Sequence, residues 1–268
     1  MVETAAYLDM IGGVSGDMLL GAMVDVGLPL DDLQVELDKI PDRGYQLSSK
    51  SVKRGGLEAT LVEVELDEGG RRKRTWDDFY NSIEASTLPD ADQKMIKKIF
   101  DVLAKAESLA HGGEARTTHL HELGTVDTLV DISCAVIGFR LLRVDNLYAS
   151  AFPSGVGSSS SSHGLMGATS IATSAIYEAS GAPVRVGGKQ PVGESVTPTG
   201  AAIVSTLAQF HQVELIPHQI GYGAGLRDPK DHANVVGFWV GQLKGHVSDD
   251  DLSLNDSNLM LLETNIDE

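Results

Sequence analysis

The strongest group of ligand-type side chains is His119-x-His121-Glu122, followed by Asp127-x-x-x-Asp131. In an extended segment the i and i+2 side chains share a face, so both imidazoles can point the same way. On a helix i and i+4 share a face, which does the same for the two aspartates. Histidines and carboxylates gathered at one strand-to-helix junction make a divalent-metal site. Residue type alone does not choose between nickel, zinc, copper and iron. The competing explanation is that the histidines are partly exposed polar residues and the aspartates cap or solvate the helix. For one residue the two explanations weigh about equally; for all five together function is favoured. Two familiar metal motifs fail on spacing. A zincin needs H-E-x-x-H, but three positions after Glu122 stands Thr125, and a zinc deaminase needs a cysteine pair where the chain has only Cys134.

A second group is Asp9 with Gly12-Gly13-x-Ser15-Gly16-Asp17. A glycine-rich turn from strand into helix exposes backbone N–H groups at a positive dipole end, which suits a phosphate. Asp9 and Asp17 would repel that phosphate unless a cation lay between them, and a plain tight turn explains the residues about as well. A third group is Glu194-x-x-Thr197-Pro198-Thr199-Gly200, where Thr197 as N-cap and Pro198 at the first helical position make a good helix start. Capping alone accounts for most of that pattern, and a second anion site is the alternative. His163 follows five consecutive serines and, taken alone, is more readily a solvated residue than a ligand. Cys134 reads as a small buried side chain.

These residues need elements to hold them. Residues 6–10 form a short strand, the glycine loop follows, and 18–26 have helical spacing ending at Gly27. A short helix over 31–40 precedes a hairpin, 45–52 with 57–66, at a sheet edge. Residues 67–74 form a charged connector expected to be mobile. Helices are expected over 75–86, with Thr75 as N-cap, and over 90–110, where Met95, Ile96, Ile99, Phe100, Leu103, Ala106 and Leu109 make one apolar stripe. Residues 117–124 read as extended, and Thr125 caps a buried helix over 126–142. Then come a strand over 147–152, a serine-rich loop over 154–164, a helix over 170–179, a strand over 183–186, and a helix from 197 to about 210. Closing strands over 214–221 and 233–243 flank a Gly221-Tyr222-Gly223-Ala224-Gly225 turn. The fold class is therefore α/β, a mixed sheet with interleaved helices in a single large domain.

The bulk properties limit what such a fold does. The 268 residues hold 38 Asp and Glu against 21 Lys and Arg, a formal net charge of −17. That excludes a nucleic-acid-backbone binder, which needs clustered cations, and disfavours an anionic membrane surface. One cysteine cannot make an internal disulfide or a cysteine-rich zinc site. With no apolar run near the roughly 20 residues of a membrane span and no signal-like start, a cytoplasmic protein is expected.

At this point the motifs resemble a family. Tyr7-Leu8-Asp9 with Gly13-x-Ser15-Gly16-Asp17-Met18-Leu19-Leu20-Gly21-Ala22 is similar to the opening of the LarC family of nickel-insertion proteins. The 119–131 stretch, Ala149-Ser150, His163-Gly164, the 194–200 motif and the 221–225 motif follow in the family's order over nearly the whole chain. The resemblance implies nickel insertion into pyridinium-3,5-bisthiocarboxylic acid mononucleotide, a CTP-dependent step in making the nickel-pincer cofactor of lactate racemase and related enzymes. This is a chelatase-type lyase activity. For that activity the residues offer His119, His121 and His163 as Ni²⁺ donors with Asp131, Glu122 or Asp127 beside them, the ligand and base among these carboxylates being left open. Glu122, Asp127 and Asp9 become the catalytic carboxylates, one accepting the proton lost from the ring carbon. Gly12, Gly13, Ser15, Gly16, Asp17, Thr197, Thr199 and Gly200 would hold the substrate phosphate.

The chain departs from the family pattern in two places. Relatives often carry a histidine-rich loop between the hairpin and the next helix, whereas residues 67–74 here contain no histidine. The end of the chain looks like the entrance to a further domain, giving 1–245 as an N-terminal domain and 246–268 as a linker. In relatives that further domain binds CTP with Mg²⁺ or Mn²⁺, so complete insertase activity is not expected of this portion alone. Expected partners are the thiolated pyridinium mononucleotide, that C-terminal domain, a lactate racemase-type apoenzyme and further copies in a homo-oligomer. The rival classes are a non-catalytic metallochaperone or assembly module, and a metal-dependent nucleotide hydrolase.

Overall fold

A computed structural model describes residues 3–111, 120, 123–161 and 164–244. Its elements run β1 (Ala5–Asp9), α1 (Gly16–Asp25), α2 (Leu30–Leu37), β2 (Tyr45–Arg54), β3 (Leu57–Leu66), α3 (Glu68–Arg71), α4 (Trp76–Glu84) and α5 (Asp90–His111). They continue with α6 (Val126–Leu141), β4 (Asn146–Ala149), β5 (Phe152–Pro153), β6 (Ser158–Ser161), β7 (Gly164–Gly167), α7 (Ile171–Ser180), β8 (Val184–Arg185), α8 (Pro198–Leu207), β9 (Leu215–Ala224) and β10 (Val235–Leu243). Six strands form one mixed sheet in the order β2-β3-β9-β10-β1-β4. β1 is parallel to β4 and antiparallel to β10, and the β2–β3 hairpin forms one edge. This is the mixed α/β body that the interleaved periodicities predict.

The elements follow from local chemistry. Thr75 closes a capping box with Asp78 at the start of α4. The apolar stripe of α5 buries Ile96, Ile99, Phe100 and Leu103, and Phe100 meets Trp76, Phe79 and Tyr80 of α4 in an aromatic cluster. α6 is apolar around most of its circumference and lies in the core, with Cys134 buried among its neighbours. α1 packs directly on the sheet. An ideal Cβ on Gly21 would stand 2.2 Å from the Thr60 carbonyl oxygen, and one on Gly223 1.7 Å from the Met18 carbonyl oxygen.

Three expectations are corrected. The 221–225 motif is not a turn: β9 runs through Ala224, and Gly221 and Gly223 are there because α1 approaches too closely for a side chain. The 67–74 connector is built, not loose. It forms α3, and the buried Arg74 guanidinium bonds Asp42 at 2.7 and 2.9 Å and the Gly70 and Arg72 carbonyls at 3.1 and 2.9 Å. The serine run enters a small hairpin, with Ser158 paired to Gly167 and Ser161 to Gly164. Among the described residues no helix is long and apolar enough to cross a membrane.

Candidate functional site

The C-terminal ends of the parallel strands β1 and β4 set the position of the site. The chain leaving β1 turns immediately, and the Met10 N–H donates to Ser150 Oγ at 3.0 Å, tying this loop to the one after β4. Gly13 has φ +109, a conformation that favours glycine, and its missing Cβ leaves room for the Ser195 carbonyl. Val14 donates to Ser195 O at 2.9 Å and accepts from the Thr197 N–H at 3.1 Å. Gly12 packs against the Ala233 and Val235 carbonyls. The glycine loop is therefore held from both sides, by the segment before α8 and the segment before β10.

Ser15 is the N-cap of α1, and its hydroxyl donates to the Asp17 carboxylate. That carboxylate also accepts the N–H groups of Asp17, Met18 and Leu226, so it already fills much of the helix N-terminus. Burial nevertheless pushes the Asp17 carboxyl above its ordinary range. Asp131, on the second turn of α6, lies against the first turn of α1: a Cβ on Gly16 would stand 2.2 Å from Asp131 Oδ2. Burial raises the Asp131 carboxyl well above the usual carboxylate range, and the charges of Asp17 and Asp127 raise it further. Asp127 accepts from the Thr125 hydroxyl. The fold thus gathers Asp17, Asp127 and Asp131 from two elements.

At the start of α8 the Thr197 hydroxyl accepts from the Gly200 N–H at 3.1 Å, and Thr199 and Gly200 are buried. A Cβ on Gly200 would lie 2.5 Å from the Val14 carbonyl oxygen. This helix start is therefore occupied by its own cap and by the glycine loop. Asp9 is half-buried on the opposite face of the sheet from α1. It accepts the Ile11 N–H, stands near Arg185 of β8, and has its carboxyl raised by burial. His119, His121, Glu122 and His163 lie outside the described residues. Among the described residues no three carboxylate, imidazole or thiol groups are arranged to hold a metal ion by themselves.

One structural contributor went unread in the sequence. Arg54, at the end of β2, is buried, and its guanidinium donates to the carbonyls of Gly225 at 3.0 Å and Leu226 at 3.4 Å. It thereby fixes the segment whose Leu226 N–H binds Asp17. A lone arginine in a strand gives no sign of this, because its partners are backbone carbonyls about 170 residues away. Chemically, Asp131, whose affinity for protons is raised by burial and by the charges of Asp17 and Asp127, can accept a proton from a substrate.

The family model described as nickel insertion protein matches residues 6–268. A relative from Citrifermentans bemidjiense, carrying the provisional name nickel insertion protein, is 35% identical over 98% of this chain and 66% of its own length. A relative from Roseiflexus castenholzii with the same provisional name is 38% identical over 98% of this chain and 64% of its own length. A Nocardioides protein named pyridinium-3,5-bisthiocarboxylic acid mononucleotide nickel insertion protein is 37% identical over 89% of this chain and 60% of its own length. The chain thus spans somewhat under two thirds of these relatives, and no solved structure matches it. This match over nearly the whole chain places it: the chain belongs to the nickel insertion protein family.

Proposed function

We propose that this chain is the nickel- and substrate-handling part of an insertase that places nickel into pyridinium-3,5-bisthiocarboxylic acid mononucleotide, a cytoplasmic step in nickel-pincer cofactor biosynthesis. The observation that carries the reading is the meeting of Asp17, Asp127 and Asp131 where α6 crosses the start of α1. That place lies just after His119-x-His121-Glu122 in the chain. In this reading His119, His121 and His163 join Asp131 as donors to the incoming Ni²⁺, which is substrate rather than resident cofactor. The imidazoles suit nickel, and the carboxylates offset its charge. As the nickel–carbon bond forms, the ring C–H bond breaks. Its electron pair goes to the metal bond and its proton to a carboxylate, Glu122 or Asp127. The glycine loop would hold the ribose-phosphate end, and the start of α8, filled by its Thr197 cap and by that loop, supports it from behind. CTP with Mg²⁺ or Mn²⁺ would be held by a C-terminal portion of the kind the relatives' unmatched length could supply.

Nickel titration calorimetry on the wild-type chain and on the His119→Ala/His121→Ala variant tests the reading. One strong nickel equivalent in the wild type, lost or weakened at least about a hundredfold in the variant, is the expected result. Unchanged stoichiometry and affinity would remove the cluster from the mechanism. Adding a separately expressed C-terminal portion and CTP should then yield the nickelated product. Nickel binding with no product under those conditions would favour a carrier, and phosphate release from nucleotides by this chain alone would favour a hydrolase.

A further inference from the structure

The loop joining β9 to β10 touches the site at both of its ends. The Leu226 N–H donates to the Asp17 carboxylate, and the Ala233 carbonyl packs on Gly12 of the glycine loop. The Gly225 N–H closes the base of this loop on the Asn234 carbonyl at 3.0 Å, and Asn234 Nδ2 donates to the Arg227 carbonyl at 2.9 Å. Arg227 in turn donates to the Glu194 carbonyl, and the Asp231 carboxylate accepts the Val192 N–H. These contacts brace the loop, and none of them uses the His232 ring. That ring has a different arrangement. Its Nδ1 stands 3.0 Å from Asp231 Oδ2. The same hydrogen bond, more than any other influence, holds the Asp231 carboxyl below the ordinary carboxylate range, so it is ionised and can only accept. In the neutral imidazole the proton must then sit on Nδ1, which leaves the lone pair of Nε2 bare. With 17% of the side chain exposed, the ring is held by its surroundings yet open at one edge. Nε2 has no hydrogen-bond partner among the described residues, and it is not one of the sealed polar atoms of the interior. A carboxylate that fixes the tautomer and leaves the other nitrogen free prepares an imidazole for a metal ion. His211 and His218 are exposed and have no such carboxylate among the described residues.

We infer that His232 Nε2 is a landing place for Ni²⁺, a divalent ion of the kind imidazole binds, on its way to Asp17, Asp127 and Asp131. The inference rests on the proposed function and adds a route of entry to it. One imidazole does not make a resident site. Water fills the remaining positions of the ion, so it is held briefly and released, and it does not compete with the carboxylates that follow. The loop that carries the ring supplies the continuity, because its other end is hydrogen-bonded to Asp17. Hard ions such as Mg²⁺ keep their water and prefer oxygen donors, so the ring also sorts ions before they reach the carboxylates.

The test uses the intact 268-residue chain with Ni²⁺ and Mg²⁺ as probes. In stopped-flow mixing, His232→Ala should slow nickel association about fivefold while the final nickel affinity and the melting temperature stay at their wild-type values. Asp231→Asn should slow association as well, because the ring loses the partner that fixes its tautomer. A purely structural role would do the reverse, lowering the melting temperature and leaving the rate alone. The second readout is the proton NMR spectrum of His119→Ala/His121→Ala, in which the strong equivalent is removed. Paramagnetic Ni²⁺ should broaden the ring signals of His232 before those of His211 and His218, and Mg²⁺ should leave all three unchanged. An unchanged association rate in His232→Ala overturns the inference, and so does broadening that reaches the three rings together. If His232→Ala fails to fold, the comparison of rings still decides. The two claims fail separately. Strong nickel binding at an unaltered rate sinks the landing place alone, whereas a wild-type chain with no strong nickel equivalent sinks the proposed function.

Discussion

At Asp131 a carboxyl lies against the first turn of α1, in space that only a glycine at position 16 leaves open. Burial, then the charges of Asp17 and Asp127, raise its affinity for the proton. A carboxyl whose folded-state pKa lies above its unfolded value contributes stability that is complete below the unfolded pKa, near 4. That contribution is lost as pH rises through the folded pKa. Above the usual carboxylate range this carboxyl is therefore a cost of folding, accepted at a place where a cation would remove it. Asp131→Asn keeps the shape and deletes the charge. The expected outcome is a melting temperature higher by about 3 °C at pH 8, an effect of about 1–2 kcal/mol, with the gap narrowing toward pH 4. The same variant should lose nickel affinity, the usual exchange of function for stability. Thermal scans across pH check this, and a variant less stable than wild type at pH 8 would contradict it.

The placement of Asp131 beside Gly16 depends on how closely α1 lies on the sheet, which is a property of elements. Gly21 meets the Thr60 carbonyl and Gly223 meets the Met18 carbonyl, so helix and strands touch backbone to backbone. Gly223→Ala must push α1 away from β9, because the atom it would strike is main chain and cannot rotate aside. The expected loss is about 3 kcal/mol or more, read as a fall of roughly 6 °C or more in melting temperature, with nickel affinity falling as Asp131 and Gly16 separate. A neutral Gly223→Ala would mean that the helix has room the geometry denies. These same glycines mark where reading from sequence alone reaches its limit. The stripe on α5, the Thr75 capping box and the β2–β3 hairpin are legible because each is local: period, cap and turn lie within a few residues. Gly-x-Gly in β9 reads as a turn because turns and close packing demand the same residue, and only the partner helix tells them apart. The basic 71–74 run reads as a loose connector because the Asp42 that engages Arg74 is 32 residues away. Within the candidate site, Asp127 and Asp131 were legible from i, i+4 spacing, whereas Asp17 joins them through a contact between two helices that no spacing encodes.

For the whole molecule, the site's position follows from topology. The chain leaving β1 runs through α1 toward β2 and β3 at one edge of the sheet, while β4 stands beside β1 at the other edge. The glycine loop, the start of α1 and Ser150 all lie outside the carboxyl ends of β1 and β4, the end of the sheet where the chain parts in this way. The whole sequence carries a formal net charge of −17. This charge acts in opposite directions on two measurable quantities. Self-repulsion weakens the compact state, so added salt should raise the melting temperature. The same field draws a divalent cation toward the carboxylates, so added salt should slow nickel association. Between about 10 mM and 300 mM monovalent salt, where the Debye length shrinks from roughly 30 Å to under 8 Å, the association rate should fall about tenfold while the melting temperature rises by a few degrees. Stopped-flow mixing with Ni²⁺ and thermal scans in the same buffers read both. If stability rises with salt but the nickel rate stays flat, the charge is a matter of solubility alone and does not steer the ion. If the rate falls as expected, the acidic composition belongs to the delivery of nickel, a role open to a chain whose 67–74 segment is spent on anchoring Arg74 and carries no histidine to gather the metal.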